Sequence, residues 1–284
     1  SRDIKVNRSG AAFKKIANCF YKVILGIWVS LATLIFMFFV LLSIFINDIL
    51  RCIFNIPGAF KEHFPGAAYK NGLLSIVILN WNGRHFLKEL LDSLKAQLND
   101  NLEVIVSDNG SVDGSQSFIR ENYPWVSLIE NEKNLGFARG TNTGIRKSRG
   151  EYIAVLNNDT VLDRNWVNEV FKGLSENPEM GIFGSKIYLE GLGKRFDIAA
   201  QGFRNNGRTL NVAAGRVDNG EFDNLKEVFG VSACAAIYRR KALEEIGLFD
   251  EDFFNSYEDN DLHFRAQVLG QRCAFLPQAI VYHK

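Results

Sequence analysis

A run of 25 uncharged and mostly apolar residues, 23–47, dominates the N-terminal part of the sequence. As a helix it would be about 38 Å long, against about 30 Å for the hydrocarbon core of a bilayer. A buried core helix would be shorter and would carry a polar stripe. A cleaved signal peptide would have a shorter apolar run, followed by a small-residue cleavage site. The pattern therefore predicts a membrane segment over residues 23–50.

Short apolar runs alternate with amphipathic stretches farther along the chain. Residues 84–98 place apolar side chains at i, i+3 and i+4, which is typical of a helix packed on one face. Successive apolar runs start 24 to 29 residues apart, which is the spacing of strand-helix-strand units. We therefore expect an α/β fold with a mostly parallel sheet, helices on both faces and ligands beyond the carboxyl ends of the strands. The four predicted strands are 73–79, 102–107, 126–130 and 151–156.

The pattern changes after about residue 180, where strand-like segments are no longer separated by helical ones. It predicts a strand at 182–189, a hairpin within 203–217, a strand within 228–240 and a helix over 259–269. The chain then divides into a basic segment 1–22, the membrane segment 23–50, a juxtamembrane connector 51–72 and a globular domain 73–284.

Charge is unevenly distributed although the whole chain carries only +1. Residues 1–22 hold six basic groups and one acid, which leaves −4 for the rest of the chain. No broad basic surface typical of a nucleic-acid-binding protein is predicted. The four cysteines form no CxxC pair, so neither a zinc site nor a disulfide framework is indicated, and a reducing compartment fits best.

Two arguments bear on the orientation of the membrane segment, and a single straight span cannot satisfy both. The basic residues before it favour a cytosolic N-terminus, and the chemistry inferred below favours a cytosolic globular domain. Both hold if the segment is a re-entrant hairpin hinged near Ser30 to Thr33, or a helix lying in the interface. A single tilted span with an exported N-terminus is the competing arrangement.

Polar residues follow three of the predicted strands directly. Asn80 ends the first strand, Asp108 the second, and Asn157-Asn158-Asp159 follows the fourth. Each group alone is typical of a turn or a helix cap. Together they are expected to converge on the crevice where doubly wound folds bind nucleotides.

Several motifs match one enzyme family in order and spacing. The stretch from Leu73 to Lys284 resembles an inverting family 2 glycosyltransferase with a GT-A fold, in the rhamnosyltransferase-like branch of bacterial surface-polysaccharide enzymes. The resemblance implies transfer of a sugar from a dTDP- or UDP-sugar, dTDP-rhamnose among them, to a polysaccharide or lipid-linked acceptor at the cytoplasmic face of the inner membrane. The matching motifs are SIVILNWNG, SDNGSVDGS, NEKNLGFARGTNTGIRKSRGEYIAVLNNDT, VSACAAIYRR and GLFDEDFFNSYEDNDLHFRAQVLG.

The resemblance also implies a set of nucleotide-binding residues. Asp108 would accept a hydrogen bond from the imide of uracil or thymine, although a turn-forming role is the alternative. Gly136 would allow close backbone approach, and Arg139 would offset phosphate charge unless it is a solvated helix-face residue. The full nucleotide-binding set is Asn80, Asp108, Asn134, Gly136, Arg139, Asn142 and Asn158.

The metal and catalytic residues are inferred in the same way. Asp159 and His283 would hold Mg²⁺ or Mn²⁺, although Asp159 is the only acid of its triplet and His283 also fits an ordinary loop histidine. Glu258 and Asp259 match an acidic pair at a helix start, with Asp259 expected as the general base. Their alternative role is to stabilise the positive end of that helix.

Two other functions are compatible with parts of the pattern. A catalytically silent scaffold that binds nucleotide would explain the strand ends, but it would not require Glu258, Asp259 and Asp159. A nucleotidyltransferase would need an early glycine-rich loop followed by lysine, which this sequence lacks. The processive-synthase signature QxxRW is also absent, which favours addition of one or a few sugars. Donor sugar, acceptor, linkage, oligomeric state and any elements beyond Lys284 are left open.

Overall fold

The computed structural model describes residues 7–54, 69–204 and 208–284, and the chain divides into two units, 1–59 and 60–284. Residues 1–6 of the predicted basic segment and residues 55–68 of the predicted connector lie outside the described residues.

The first unit contains helix α1, Asn7–Phe54, which is 48 residues long. Within it, Ile24–Ser43 has a mean hydropathy of 2.6 with none of its surface buried, and qualifies as a membrane span by length and composition. The helix is continuous through Ser30 and Thr33, and the Thr33 hydroxyl donates to the carbonyl of Val29 at 2.8 Å. The predicted re-entrant hinge is therefore wrong, because no proline or glycine pair interrupts the helical hydrogen bonds there.

The second unit is an α/β domain whose elements follow the predicted order closely. The predicted strands at 73–79, 102–107, 126–130 and 151–156 are confirmed with small boundary shifts. The strands are β1 Lys70–Asn80, β2 Leu102–Asp108, β3 Ser127–Glu130, β4 Gly150–Asn157, β5 Thr160–Leu162, β6 Ile182–Leu189, β7 Phe196–Ile198, β8 Ala200–Phe203, β9 Thr209–Val212, β10 Glu227–Val228, β11 Ala235–Arg239 and β12 Cys273–His283. The helices are α2 Arg84–Lys95, α3 Ser115–Asn122, α4 Phe137–Lys147, α5 Trp166–Glu176, α6 Arg240–Ile246 and α7 Glu258–Val268.

The main sheet has the order β10-β12-β6-β11-β4-β1-β2-β3. Pairing is parallel from β4 through β1 and β2 to β3, as expected. Strand β11 then enters antiparallel between β4 and β6, so the other half of the sheet is mixed. Strand β12, which the sequence pattern did not predict, runs parallel to β6 with a register shift between Leu276 and Ile280. Its last residue, His283, therefore reaches the edge of the sheet where β1, β2 and β4 end.

Helices cover both faces of the sheet and bury one apolar core on each. Leu87 of α2 and Val167 of α5 lie in the first core, and Ile145 of α4 and Leu262 of α7 lie in the second. All four side chains are at most 1% exposed. Burial of such side chains supplies the main driving force for the fold and holds the strand ends rigidly in place.

A buried ion cluster fixes the segment that follows the β8–β9 hairpin. The ammonium of Lys186 on β6 contacts Asp218 at 2.7 Å and also pairs with Asp223, and the Tyr188 hydroxyl donates to Asp218. Burial alone would raise the pKa of Asp218, but the hydrogen bonds from Lys186 and Tyr188 outweigh it and lower that pKa to about 2. The cluster therefore depends on an ionised Asp218.

We expect Lys186→Met to lower the free energy of unfolding by about 3 kcal/mol, because it leaves the Asp218 carboxylate buried without its cation. The exposed Lys194 provides the matched control, Lys194→Met. In the wild type, the stabilising contribution of Asp218 is present above pH 3.8 and is lost as the pH falls towards 2. Chemical denaturation of the wild type and the two variants across this pH range measures both effects. Equal free energies of unfolding for the two variants would contradict the assignment.

Candidate functional site

The polar residues that end β1, β2 and β4 are joined by hydrogen bonds. The Asn80 amide donates to Asp108 Oδ2 at 2.8 Å, and its Oδ1 accepts from the Asn158 amide at 2.8 Å. Asn80 and Asp108 are fully buried. Three of the predicted nucleotide-binding residues, Asn80, Asp108 and Asn158, are thus brought together, with Asn80 as the link between neighbouring strand ends.

The Asp108 carboxylate is held by three donors. Besides Asn80, the Ser111 backbone N–H donates to Oδ1 at 2.8 Å and the Gln116 amide donates to the same oxygen at 2.7 Å. The bond to Ser111 is the turn contact named as the alternative role of Asp108. Asn80 and Ser111 are buried, whereas the Gln116 side chain is partly exposed.

Asn134 and Gly136 shape the loop before α4. The Asn134 Oδ1 accepts from the Gly136 backbone N–H at 2.9 Å and from the Asn109 amide at 3.2 Å. Gly136 has φ +82°, and a Cβ there would lie 2.4 Å from the carbonyl oxygen of Phe254. Phe137 donates its backbone N–H to that same carbonyl at 2.6 Å. The absence of a side chain at Gly136 therefore lets the loop leading into α7 approach the backbone here.

Arg139 and Asn142 also hold this loop. The Arg139 guanidinium pairs with Glu251 at 2.9 Å, and the Asn142 amide donates to the Phe249 carbonyl at 2.8 Å. Asn142 also accepts from the Phe249 backbone N–H at 3.2 Å and is fully buried. Both residues, predicted to contact nucleotide, thus anchor the segment between α6 and α7 in this structure.

The predicted catalytic pair and His283 line one cleft of about 410 Å³, the candidate cleft. It lies where the end of β4, the start of β11, the β8–β9 hairpin and the start of α7 meet. The residues that line it include Phe137, Asn157, Gln201, Thr209, Asn211, Ser232, Ala233, Cys234, Tyr257, Glu258, Asp259, Asn260 and His283.

Asp259 is the most heavily hydrogen-bonded side chain of the cleft. Its Oδ2 accepts from the Gln201 amide at 2.7 Å and from the Ala233 backbone N–H at 3.3 Å. Its Oδ1 accepts from the backbone N–H and the side-chain amide of Asn260, at 2.7 and 2.9 Å. These bonds turn the nitrogens of both amides towards Asp259, so the Gln201 and Asn260 side-chain oxygens point away and are buried without a partner in the described part of the chain.

Glu258 has the opposite environment, although it is the neighbouring residue. It is 6% exposed, and its Oε2 is buried without a hydrogen-bond partner among the described residues. Burial, with a smaller contribution from the charge of Asp259, raises the pKa of Glu258 to about 7. A carboxyl with this pKa can accept a proton near neutral pH.

The backbone before Glu258 is strained. Ser256 and Tyr257 have φ of +73° and +71°, a left-handed conformation that non-glycine residues rarely adopt. Two such residues in succession are typical of functional sites, where the surrounding packing imposes the strain. The loop thus presents Glu258 at the first position of α7 in one fixed direction.

His283 lines the candidate cleft, and Asp159 lies next to it. The imidazole Nδ1 is 2.8 Å from Asp197 and Nε2 is 3.3 Å from Asp159 Oδ1. The nearby carboxylates of Asp159 and Asp197, with a smaller contribution from Cys234, raise the pKa of His283 to about 12. Asp159 Oδ1 is buried and has no partner of good hydrogen-bond geometry in the described ranges.

This pair fits part of the coordination shell of a divalent cation. Carboxylate oxygen and imidazole nitrogen are ligands for Mn²⁺, and carboxylate oxygen is a ligand for Mg²⁺. Among the side chains that the structure describes, no group of three or more His, Cys, Asp or Glu residues forms a metal cage.

Two residues that organise the site carried no sequence signal. Gln201 orients Asp259 from β8, and Asp197 orients His283 from β7. Both lie in the region after residue 180, outside every motif that pointed to a nucleotide site.

The comparisons with known proteins agree with this fold. Residues 75–247, more than half of the chain, match the family model "Glycosyl transferase family 2". An uncharacterized glycosyltransferase of Haemophilus influenzae is 30% identical over 42% of this chain and 37% of its own length. The chain thus spans a little over a third of this curated relative.

A second relative is covered more fully. The N-acetylglucosaminyl-diphospho-decaprenol L-rhamnosyltransferase of Mycobacterium tuberculosis is 25% identical over 74% of this chain and 76% of its own length. Among solved structures, GalNAc-T7 with UDP, GalNAc and Mn²⁺ matches 74% of this chain and 43% of its own, with 17% identity and a TM-score of 0.60. The structural likeness concerns the fold.

Proposed function

The chain belongs to glycosyl transferase family 2, and we propose that it is an inverting, metal-dependent enzyme that moves a sugar from a dTDP- or UDP-sugar to a polysaccharide or lipid-linked acceptor. The observation that carries the proposal is one cleft lined both by Glu258, whose Oε2 is unpartnered among the described residues and whose pKa is raised, and by His283, which contacts Asp159. An inverting transfer needs a proton acceptor on one side of the anomeric carbon and charge neutralisation on the other.

The nucleotide would bind at the ends of β1 and β2. Of the donors to Asp108, only Gln116 comes from a partly exposed side chain. An imide N–H of uracil or thymine would take its place on Oδ1, whereas cytosine offers no donor at the equivalent ring nitrogen. A relative of the same fold has UDP bound, which supports a pyrimidine diphosphate as the donor.

The diphosphate would lie towards Asp159 and His283. A divalent cation bound there would neutralise the charge of the leaving nucleoside diphosphate. Asp159 would supply one oxygen ligand and His283 one nitrogen ligand. Asp197, on the other imidazole nitrogen, would hold the ring in the orientation seen here.

The Glu258–Asp259 pair would take the proton of the acceptor hydroxyl as it attacks. The family resemblance assigns this role to Asp259. The geometry gives the free oxygen and the raised pKa to Glu258, while the acceptor positions of Asp259 are used by Gln201, Ala233 and Asn260. In either assignment Asp259 is required, because it sets the direction of both amides.

The rhamnosyltransferase branch is the finer part of the proposal. It is supported by a relative named as an L-rhamnosyltransferase that acts on an N-acetylglucosaminyl-diphospho-decaprenol. A lipid-linked acceptor is also consistent with the apolar segment Ile24–Ser43. A panel of dTDP- and UDP-sugars, assayed by mass spectrometry with lipid-linked acceptors, identifies the donor and the acceptor. The absence of any glycosylated product would favour the nucleotide-binding scaffold.

We expect Asp259→Asn to lower transfer by about 100-fold or more, because loss of a general base or of its positioning has this effect. Nucleotide affinity, measured by calorimetry with UDP or dTDP, should change little. The control is Asp252→Asn, at an exposed residue in the loop that precedes α7. Near-wild-type turnover in Asp259→Asn would contradict a catalytic role for the pair. A fall of activity below about pH 7 that disappears in Glu258→Gln would make Glu258 the base.

We expect Asp159→Ala to remove the increase in nucleotide affinity that Mn²⁺ or Mg²⁺ produces, because the diphosphate charge is then poorly neutralised. Titration calorimetry with and without metal measures this increase directly. Glu176→Ala, an exposed acid on α5, should behave like the wild type. A metal effect that survives in Asp159→Ala would place the cation elsewhere.

The membrane arrangement is proposed as one tilted span with the catalytic unit in the cytosol, where nucleotide sugars are made. The continuous α1 has no polar face between Ile24 and Ser43, which argues against a helix lying in the interface. Export of the basic N-terminus is the unfavourable part of this arrangement.

In a background without the native cysteines, we expect the cysteine introduced by Asn7→Cys to be labelled from outside the cell. The cysteine introduced by Asn71→Cys should be protected from labelling. An impermeant maleimide applied to intact and then to lysed cells makes the comparison. Protection of both positions in intact cells would show that the two ends lie on the same side.

A further inference from the structure

The side chains that are exposed on helix α7 are apolar, unlike those on the other helices of the second unit. Of its eleven residues, only Phe264 and Val268 are exposed, at 54% and 55%. Leu269, which follows directly, is 42% exposed. On α2 to α6, by contrast, every exposed residue is polar or charged. A surface helix in water normally turns its polar face outward, so the outer face of α7 indicates contact with another apolar surface.

The apolar surface extends beyond the helix itself. Phe203 on the β8–β9 hairpin packs edge-to-face on Phe264, with ring centroids 5.8 Å apart. Tyr257, which is 60% exposed, lines one cleft together with these two rings. Val268 lies four residues after Phe264 and therefore on the same side of the helix. We call the surface formed by Tyr257, Phe264, Val268 and Leu269 the apolar α7 face.

Basic residues border this face. Arg204 and Arg208 are exposed, and the Arg204 backbone N–H donates to the Arg208 carbonyl at 2.8 Å, which closes the β8–β9 hairpin. Arg208 also lines the cleft that contains Phe264. The acid that lines this cleft, Asp261, is paired with Arg265 at 2.8 Å. An apolar surface with a basic border matches the boundary between the acyl chains and the anionic headgroups of a bilayer.

The same chain contains a segment that would bring a bilayer within reach. Helix α1 includes the candidate span Ile24–Ser43. Residues 55–69 connect α1 to β1 and can extend over about 50 Å at most. Contact of the second unit with a bilayer that holds α1 is then an intramolecular event, so a small apolar surface is sufficient for it.

We propose that the apolar α7 face docks on an anionic lipid bilayer, with Phe264, Val268 and Leu269 among the upper acyl chains and the two hairpin arginines at the headgroups. A second copy of this chain is the main alternative occupant. Contact between two copies of the same face would bring four arginines together, which is unfavourable. A bilayer with anionic headgroups instead provides both an apolar layer and the opposite charge.

Docking would also place the candidate cleft at the bilayer surface. Tyr257 belongs to the apolar α7 face and lines that cleft as well. The proposal goes beyond sugar transfer and does not depend on it, because the protein would dock without nucleotide or acceptor.

Quenching by spin-labelled lipid tests the proposal on the full chain in nanodiscs. The bilayer contains phosphatidylcholine, phosphatidylglycerol and a phosphatidylcholine that carries a nitroxide near the top of one acyl chain. In the parent protein, Cys19 and Cys52 are replaced by serine, and Cys234 and Cys273 are retained because both are buried. Bimane labelling of this parent measures the background.

The bimane label is attached to Val268→Cys or to a matched control, Ser175→Cys. Ser175 is exposed on α5, which packs on the opposite face of the sheet from α7. A third variant combines Val268→Cys with Leu269→Glu, which adds an acid to the apolar α7 face. Thermal unfolding of each variant, compared with the parent, reports on folding.

We expect the nitroxide lipid to quench the label of Val268→Cys about threefold more strongly than that of Ser175→Cys, because an interfacial face enters the acyl boundary. Leu269→Glu should remove most of this difference, since a carboxylate is costly at that depth. Omission of phosphatidylglycerol should also weaken the quenching, because the arginines then lose their anionic partners.

Other outcomes would overturn the proposal. Quenching of the Val268→Cys label by aqueous iodide, with no quenching by the lipid, would show that the face lies in water. Protection from both quenchers would show that protein covers the face, either a second copy or another segment of the chain. Equal quenching with and without phosphatidylglycerol would overturn the role given to Arg204 and Arg208.

Discussion

The hydrogen bonding of the Asp259 carboxylate is the interaction on which the candidate cleft depends. It accepts from Gln201 on the β8–β9 hairpin, from Ala233 before β11 and from Asn260 on α7. Three segments that are far apart in sequence therefore meet at one charged group. The hydrogen bonds also fix the direction of the side chains, because an anion accepts only from the nitrogen ends of neighbouring amides, so that their oxygen ends point away from it.

The loop between α6 and α7 joins the two halves of the site. Its carbonyls at Phe249 and Phe254 are bound by Asn142 and Phe137, and its Glu251 is bound by Arg139. Residues in the region expected to approach nucleotide thus fix the loop that precedes the acids proposed to be catalytic. Reduced nucleotide affinity in a variant of Asn142 or Arg139 would consequently have two physical origins, a lost ligand contact or a displaced α7.

Much of the fold was predictable because local patterns determine it. Strands β1, β2 and β4 contain continuous apolar runs, and a strand buried on both faces needs such a run whatever its neighbours are. Strand β12 was missed because Pro277 and Gln278 interrupt its apolar pattern, and its register shift accommodates them. The strand-end positions of Asn80 and Asp108 followed from the same runs. Gln201 and Asp197 could not be found, because their roles depend on the three-dimensional positions of Asp259 and His283.

Helix α1 has a consequence for the behaviour of the isolated protein in water. Between Ile24 and Ser43 it exposes apolar side chains around its whole circumference, with none of that surface buried in the described chain. An exposed apolar surface of this kind associates with any other apolar surface that is available, because the contact removes both from water. Without lipid or detergent, that material is the same helix of other copies. The particle mass measured in such a preparation would then report micelle-like clustering of α1 and would carry no information about the quaternary structure of the second unit.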